Sequence, residues 1–134
     1  MITAIDTNIL LDILLPNDKF YDASESALQR AASEGSLAIS DIVYAELCIH
    51  FDARRDCDAF LENTEIRVQA LTKDAHFLAG RAWRQYRSNG GKRTRILADL
   101  LIGAHAQLQA ARLLSRDRGF YRELFPTLEV WDPS

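Results

Sequence analysis

The first fifteen residues, MITAIDTNILLDILL (residues 1–15), decide how the chain is read. Ile2 to Ile5 is an apolar run too short for a helix and bounded by polar residues, which predicts a buried strand. Ile9 to Leu15 is apolar at helical spacing. Asp6, with Thr7 and Asn8, sits at the junction. A strand running straight into a helix is half of a βα unit, and a carboxylate at that junction lies at the strand's carboxyl end.

The same alternation continues outward. Strands are predicted at Ser36 to Ile39, Ile66 to Leu71, Arg112 to Leu114 and Leu128 to Trp131. Between them lie helical patterns. Phe20 to Glu34 stops at Gly35; Ile42 to Phe51 is capped by Ser40 or Asp41; Arg54 to Glu62 follows; Lys73 to Ser88 is capped by Thr72. Asn89, Gly90 and Gly91 break the chain before a last helix from Leu97 to Ala110. Alternation of this kind implies a mostly parallel, about five-stranded sheet covered by helices on both faces. The expected fold is a three-layer α/β/α architecture in one domain, residues 1–134, without repeats or linkers.

Composition narrows the function classes. At 134 residues and 48% hydrophobic, the chain can bury a core of ordinary size. Asp6 and Asp12 interrupt the N-terminal apolar stretch, which fits neither a signal peptide nor a membrane span, so a cytoplasmic protein is expected. Cys48 and Cys57 lack the spacing of a zinc or redox pair, and His50, His76 and His105 are scattered, which argues against a zinc enzyme.

Charge is distributed unevenly. Residues 1–80 carry six Lys/Arg against fourteen Asp/Glu, whereas residues 81–122 carry ten against two. A local excess of +8 can attract a polyanion although the whole chain is at −3, because local field governs encounter. The two acids inside the basic block are Asp99 and Asp117.

Four acids therefore invite a functional reading, each beside a structural one. In open parallel sheets the functional crevice lies outside the carboxyl ends of the strands. Asp6 ends the first strand there, and Asp117 follows the strand in ARLLSRDRGF (residues 111–120). Either could equally cap a helix. Glu46, in SDIVYAELCIHF (residues 40–51), has Ile42, Val43, Ile49 and His50 three and four residues away. A carboxylate in such surroundings must be neutralised, hydrogen-bonded or paired with a cation, and an arginine or a metal ion meets the last demand alike. Asp99, in RILADLLIGAHA (residues 95–106), occupies a first helical turn, where the dipole favours an acid. Behind it Gly103, Ala106 and Ala110 form a small-residue face that admits a close neighbour.

Asp6-Thr7-Asn8, Glu46 in AEL, Asp99 in ADLLIGAHA and Ser115-Arg116-Asp117 together resemble the PIN domain, specifically the VapC-like toxins of toxin-antitoxin pairs. The resemblance covers nearly the whole chain. It implies a ribonuclease dependent on Mg2+, with Mn2+ as substitute, in which Asp6, Glu46, Asp99 and Asp117 surround the metal and Asn8 and Ser115 orient them. It also implies a homodimer and a cognate antitoxin. Lys92, Arg93 and Arg95 ahead of Asp99, and Arg116 and Arg118 around Asp117, are the expected grip on RNA phosphates, although some of these cations could instead pair with the acidic first half.

Rival readings differ in testable ways. A phospho-receiver would need an acidic pair near the first strand and a lysine after a late one. A haloacid-dehalogenase-type phosphatase would need an aspartate where Asn8 stands. The remaining alternative is a non-catalytic PIN-like module that binds RNA or protein without cutting.

Overall fold

The computed structural model describes residues 1–92 and 96–133, with Ile96 described by its backbone alone. Five strands form one sheet in the order β3-β2-β1-β4-β5, with β1 Ile2–Ile5, β2 Ser36–Ser40, β3 Ile66–Gln69, β4 Arg112–Leu114 and β5 Val130–Trp131. Every pairing is parallel, so the sheet is more uniform than the mostly parallel one expected. The helices are α1 Thr7–Leu14, α2 Tyr21–Glu34, α3 Asp41–Cys48, α4 Arg54–Asn63, α5 Lys73–Ser88, α6 Ile96–Gln109 and α7 Arg118–Leu124.

The chain steps outward in one direction from β1 through β2 to β3, then crosses beyond β1 to β4 and β5. Right-handed crossovers that reverse direction place their helices on opposite faces, which produces the three layers. It also puts a topological switch point between β1 and β4, the place where a crevice opens at the strand ends.

Burial follows this plan. Ala4, Ile5, Leu37, Ala38, Ile39, Leu113 and Leu114 on the three inner strands are buried, as unbroken apolar runs covered on both faces must be. The edge strand β3 exposes Arg67 and Val68. Gly35 permits the first pairing: a Cβ there would lie 1.9 Å from the Met1 carbonyl oxygen, which accepts the Ser36 N–H at 2.9 Å. No helix among the described residues is long and apolar enough to cross a membrane.

Three elements fall short of expectation by two residues or more, the first being β3, which ends at Gln69 instead of Leu71. The third helix stops at Cys48 instead of Phe51, because Ile49 and His50 leave the helical ladder and the His50 N–H turns to the Leu47 carbonyl. The last strand is trimmed to Val130–Trp131, the residues that pair with Leu113 and Leu114.

Candidate active site

Asp6 has extended backbone geometry at the end of β1, and its N–H completes the sheet by donating to the Leu114 carbonyl at 2.9 Å. Its side chain does cap α1, accepting the Thr7 N–H at Oδ1 over 2.7 Å. It does more than cap. Oδ2 accepts the Ser115 hydroxyl at 2.7 Å from the end of β4, and the Asn8 amide lies 3.5 Å away. The Tyr121 phenol, buried on α7, reaches the same carboxylate. Desolvation raises the Asp6 pKa to about 6, with the hydrogen bonds from Ser115, Thr7 and Tyr121 opposing the rise and the negative charge of Asp99 adding to it.

Asp6, Thr7, Asn8, Leu11, Glu46, Asp99 and Asp117 line one depression of about 250 Å³ at the carboxyl edge of the sheet. Topology brings them there. Asp6 ends β1, Asp117 follows β4, Asp99 stands in the first turn of α6, and Glu46 projects from α3 after β2. The four acids named from the sequence thus line one opening, and Asn8 and Ser115 both donate to Asp6. Asp117 precedes α7 without a side-chain cap bond, and its N–H is held by Ser115 Oγ at 3.0 Å.

Glu46 corrects one expectation. It is half-buried rather than wrapped in apolar side chains, since Ile49 and His50 lie beyond the helix end and are exposed. It accepts the Thr7 hydroxyl at 2.5 Å. Thr7 therefore joins two of the acids, one through its backbone and one through its side chain.

The cations divide. Lys92 and Arg118 are exposed, whereas Arg93 and Arg95 lie outside the described residues. Arg116 does not present a free guanidinium: it forks onto Asp12 with bonds of 2.8 and 3.0 Å and lies over the Phe20 ring. Arg112, buried in β4, likewise pairs with Glu34 at 3.0 Å and bonds Thr3. Two charges of the basic block are thereby matched by acids of the first half.

Tyr121 and Asp12 escape a reading of the sequence alone. Burial first, then the charges of Asp6, Asp99 and Asp117, push the Tyr121 phenol well above its ordinary range, so it remains a hydrogen-bond donor beneath the acids. No local spacing marks it. Asp12 does carry a signal, as an acid on the buried face of the apolar helix TNILLDIL, four residues after Asn8.

Carboxylate oxygens around an open depression are donors of the kind a hard divalent cation takes. Among the described residues, no three acidic, histidine or cysteine side chains close into a cage for such an ion. The acids instead line an open mouth.

The solved structures that resemble this chain share its architecture. VapBC2 of Rickettsia felis, solved with a promoter DNA fragment, aligns with a TM-score of 0.75 and 25% identity over 98% of both chains. VapBC-1 of nontypeable Haemophilus influenzae aligns at 0.75 and 21% over 99% of this chain and 98% of that one. FitAcB of Neisseria gonorrhoeae aligns at 0.70 and 19% over 99% and 98%. No curated protein matches the sequence significantly. The family model of the PIN domain matches residues 3–123, a span that contains Asp6, Glu46, Asp99 and Asp117. The chain belongs to the PIN domain family.

Proposed function

We propose that this protein is the toxin of a toxin-antitoxin pair and acts as an Mg2+- or Mn2+-dependent endoribonuclease. One observation carries the reading: Asp6, Glu46, Asp99 and Asp117 line a single depression at the β1/β4 switch point. Burial first, and the charge of Asp99 last, raise the Asp6 pKa to about 6, so a nearby cation would stabilise its ionised form. The open mouth suits magnesium, which keeps several waters and takes only one or two carboxylates.

Asp6 and Asp99 would be the principal ligands, with Glu46 and Asp117 acting directly or through water. When bound, the divalent ion supplies Lewis acidity, making water nucleophilic at neutral pH and offsetting charge that builds on the phosphodiester. The chain's own contribution is to orient. Thr7, Asn8, Ser115 and Tyr121 fix where the carboxylate oxygens point. Lys92, Arg93, Arg95 and Arg118 would hold phosphates without reading bases.

The likeness to the VapBC and FitAcB structures supports an antitoxin partner. A cognate antitoxin would cover the acid-lined depression, and the toxin would pair as a homodimer. The test is cleavage of a structured RNA by purified, antitoxin-free protein. Cutting is expected with Mg2+ or Mn2+, with loss in EDTA and in Asp6→Asn and Asp99→Asn. Cleavage that persists in EDTA removes the metal reading; tight RNA binding without any cleavage favours the non-catalytic module.

A further inference from the structure

We infer that Asp12 and Arg116 form a positioning brace that holds Ser115 and Asp117 against Asp6, and that Arg116 serves the acid cluster in this way instead of contacting RNA. The inference rests on the metal-dependent reading above. Asp12, on α1, is buried at 3% exposure, and both its oxygens are engaged. Oδ2 accepts the Ser24 hydroxyl at 2.6 Å and the Arg116 Nε–H at 2.8 Å; Oδ1 accepts the Arg116 Nη2–H at 3.0 Å. A two-bonded fork fixes direction as well as distance. The Phe20 ring closes the outer side, with the guanidinium carbon 3.8 Å from its centroid.

What the fork holds is the short chain between β4 and α7. Residues 115, 116 and 117 are tied to β1 or α1 or to one another at every step. Ser115 donates to Asp6 Oδ2 at 2.7 Å and accepts the Asp117 N–H at 3.0 Å. The Arg116 N–H donates to Asn8 Oδ1 at 3.3 Å, and the Asn8 amide turns back to Asp6. Asp12 and Asn8, one turn apart on α1, therefore grip one residue by its side chain and its backbone. Asp117 carries the same sign of charge as Asp6 and Asp99, and the brace fixes the backbone on which it stands. Stability alone does not call for charges here, since a well-packed apolar pair commonly serves a buried site as well as an ion pair does.

The test measures Mn2+ affinity of metal-free protein by calorimetry, without RNA, for wild type, Arg116→Lys and Asp12→Leu/Arg116→Met. Lysine keeps the charge and loses the fork; the apolar pair restores packing and loses direction. Each folded variant is expected to bind Mn2+ about tenfold more weakly, the loss typical of removing a group that orients a metal ligand. At saturating Mn2+ the KM for RNA should be unchanged. Affinity within about twofold of wild type in Arg116→Lys overturns the brace, and a raised KM with a shallower salt dependence would assign Arg116 to RNA instead. If the double variant fails to fold, Arg116→Lys decides alone. Wild-type protein that takes up no Mn2+ overturns the metal reading itself, and the brace with it.

Discussion

Asp6 shows how one side chain serves fold and site together. As an N-cap it satisfies a helical N–H, a task any short oxygen-bearing side chain could perform. The penalty of an ionisable group lies in its burial. Because its folded pKa is raised to about 6, the neutral form is favoured, and stability fully present below about pH 4 is lost as pH rises through 6. A shift of roughly two units corresponds to about 3 kcal/mol. Metal-free wild type should therefore weaken over this window, while Asp6→Asn should lack that component. Urea unfolding in EDTA at several pH values compares them, and parallel pH profiles would show that burial does not penalise the Asp6 charge. The neighbouring Thr7→Val removes the hydroxyl from Glu46 and should cost about 1 kcal/mol, with Thr7→Ser largely restored. Equal stabilities for the valine and serine variants would dismiss that bond.

At the scale of elements, α7 is seated by a missing side chain. A Cβ on Gly103 of α6 would lie 2.4 Å from the Phe125 ring, so glycine is what lets the segment after α7 close over the Asp99 helix. Phe120 and Tyr121 continue the packing as an edge-to-face pair, and Phe120 also meets Tyr86 of α5. Gly103→Ala should destabilise by about 1–3 kcal/mol through overpacking, despite alanine's better helix propensity. Phe125→Leu should recover part of that loss in the double variant; additive losses would mean the ring is not the obstacle. The small-residue face behind Asp99 is legible in the sequence, as are the strands, the order of helices and all four acids, because each depends on local pattern or on which strand end a residue occupies. The partner of that face is not legible. Nor are the pairs made across the sheet: Asp12 and Arg116 are 104 residues apart, and Arg112 lies 109 from Thr3. Such pairs are set by which strands become neighbours, which no local spacing encodes. The surroundings of Glu46 differ from expectation because helical periodicity, extended past Cys48, does not register where the helix ends.

Across the whole molecule, charge is segregated along the chain and then partly recombined by folding. Arg112 and Arg116 cross to Glu34 and Asp12, so two cations of the basic block are matched internally. Arg81 and Arg87 lie over the rings of Phe77 and Trp83 on α5, keeping their charge at the surface. Lys92 is exposed just before α6, the helix that carries Asp99, and Arg93 and Arg95 complete that stretch in sequence. If this stretch grips RNA, its removal should act on affinity through counterion release and leave the acids intact. Replacing Lys92, Arg93 and Arg95 by alanine in an Asp99→Asn background should reduce the slope of log affinity against log salt by about 2 for a single strand, roughly 0.7 for each phosphate no longer neutralised. Affinity should fall evenly across sequences, since phosphate-binding groups place a strand without reading it. Arg54→Ala provides the comparison: this exposed arginine on α4 sits in the acidic half beside Asp58, and its removal should leave the slope unchanged. A slope untouched by the triple change would move the grip to Arg118 and the arginines of α5, and a change in Arg54→Ala of about a third of that in the triple variant, the ratio of the charges removed, would reduce the effect to net charge alone.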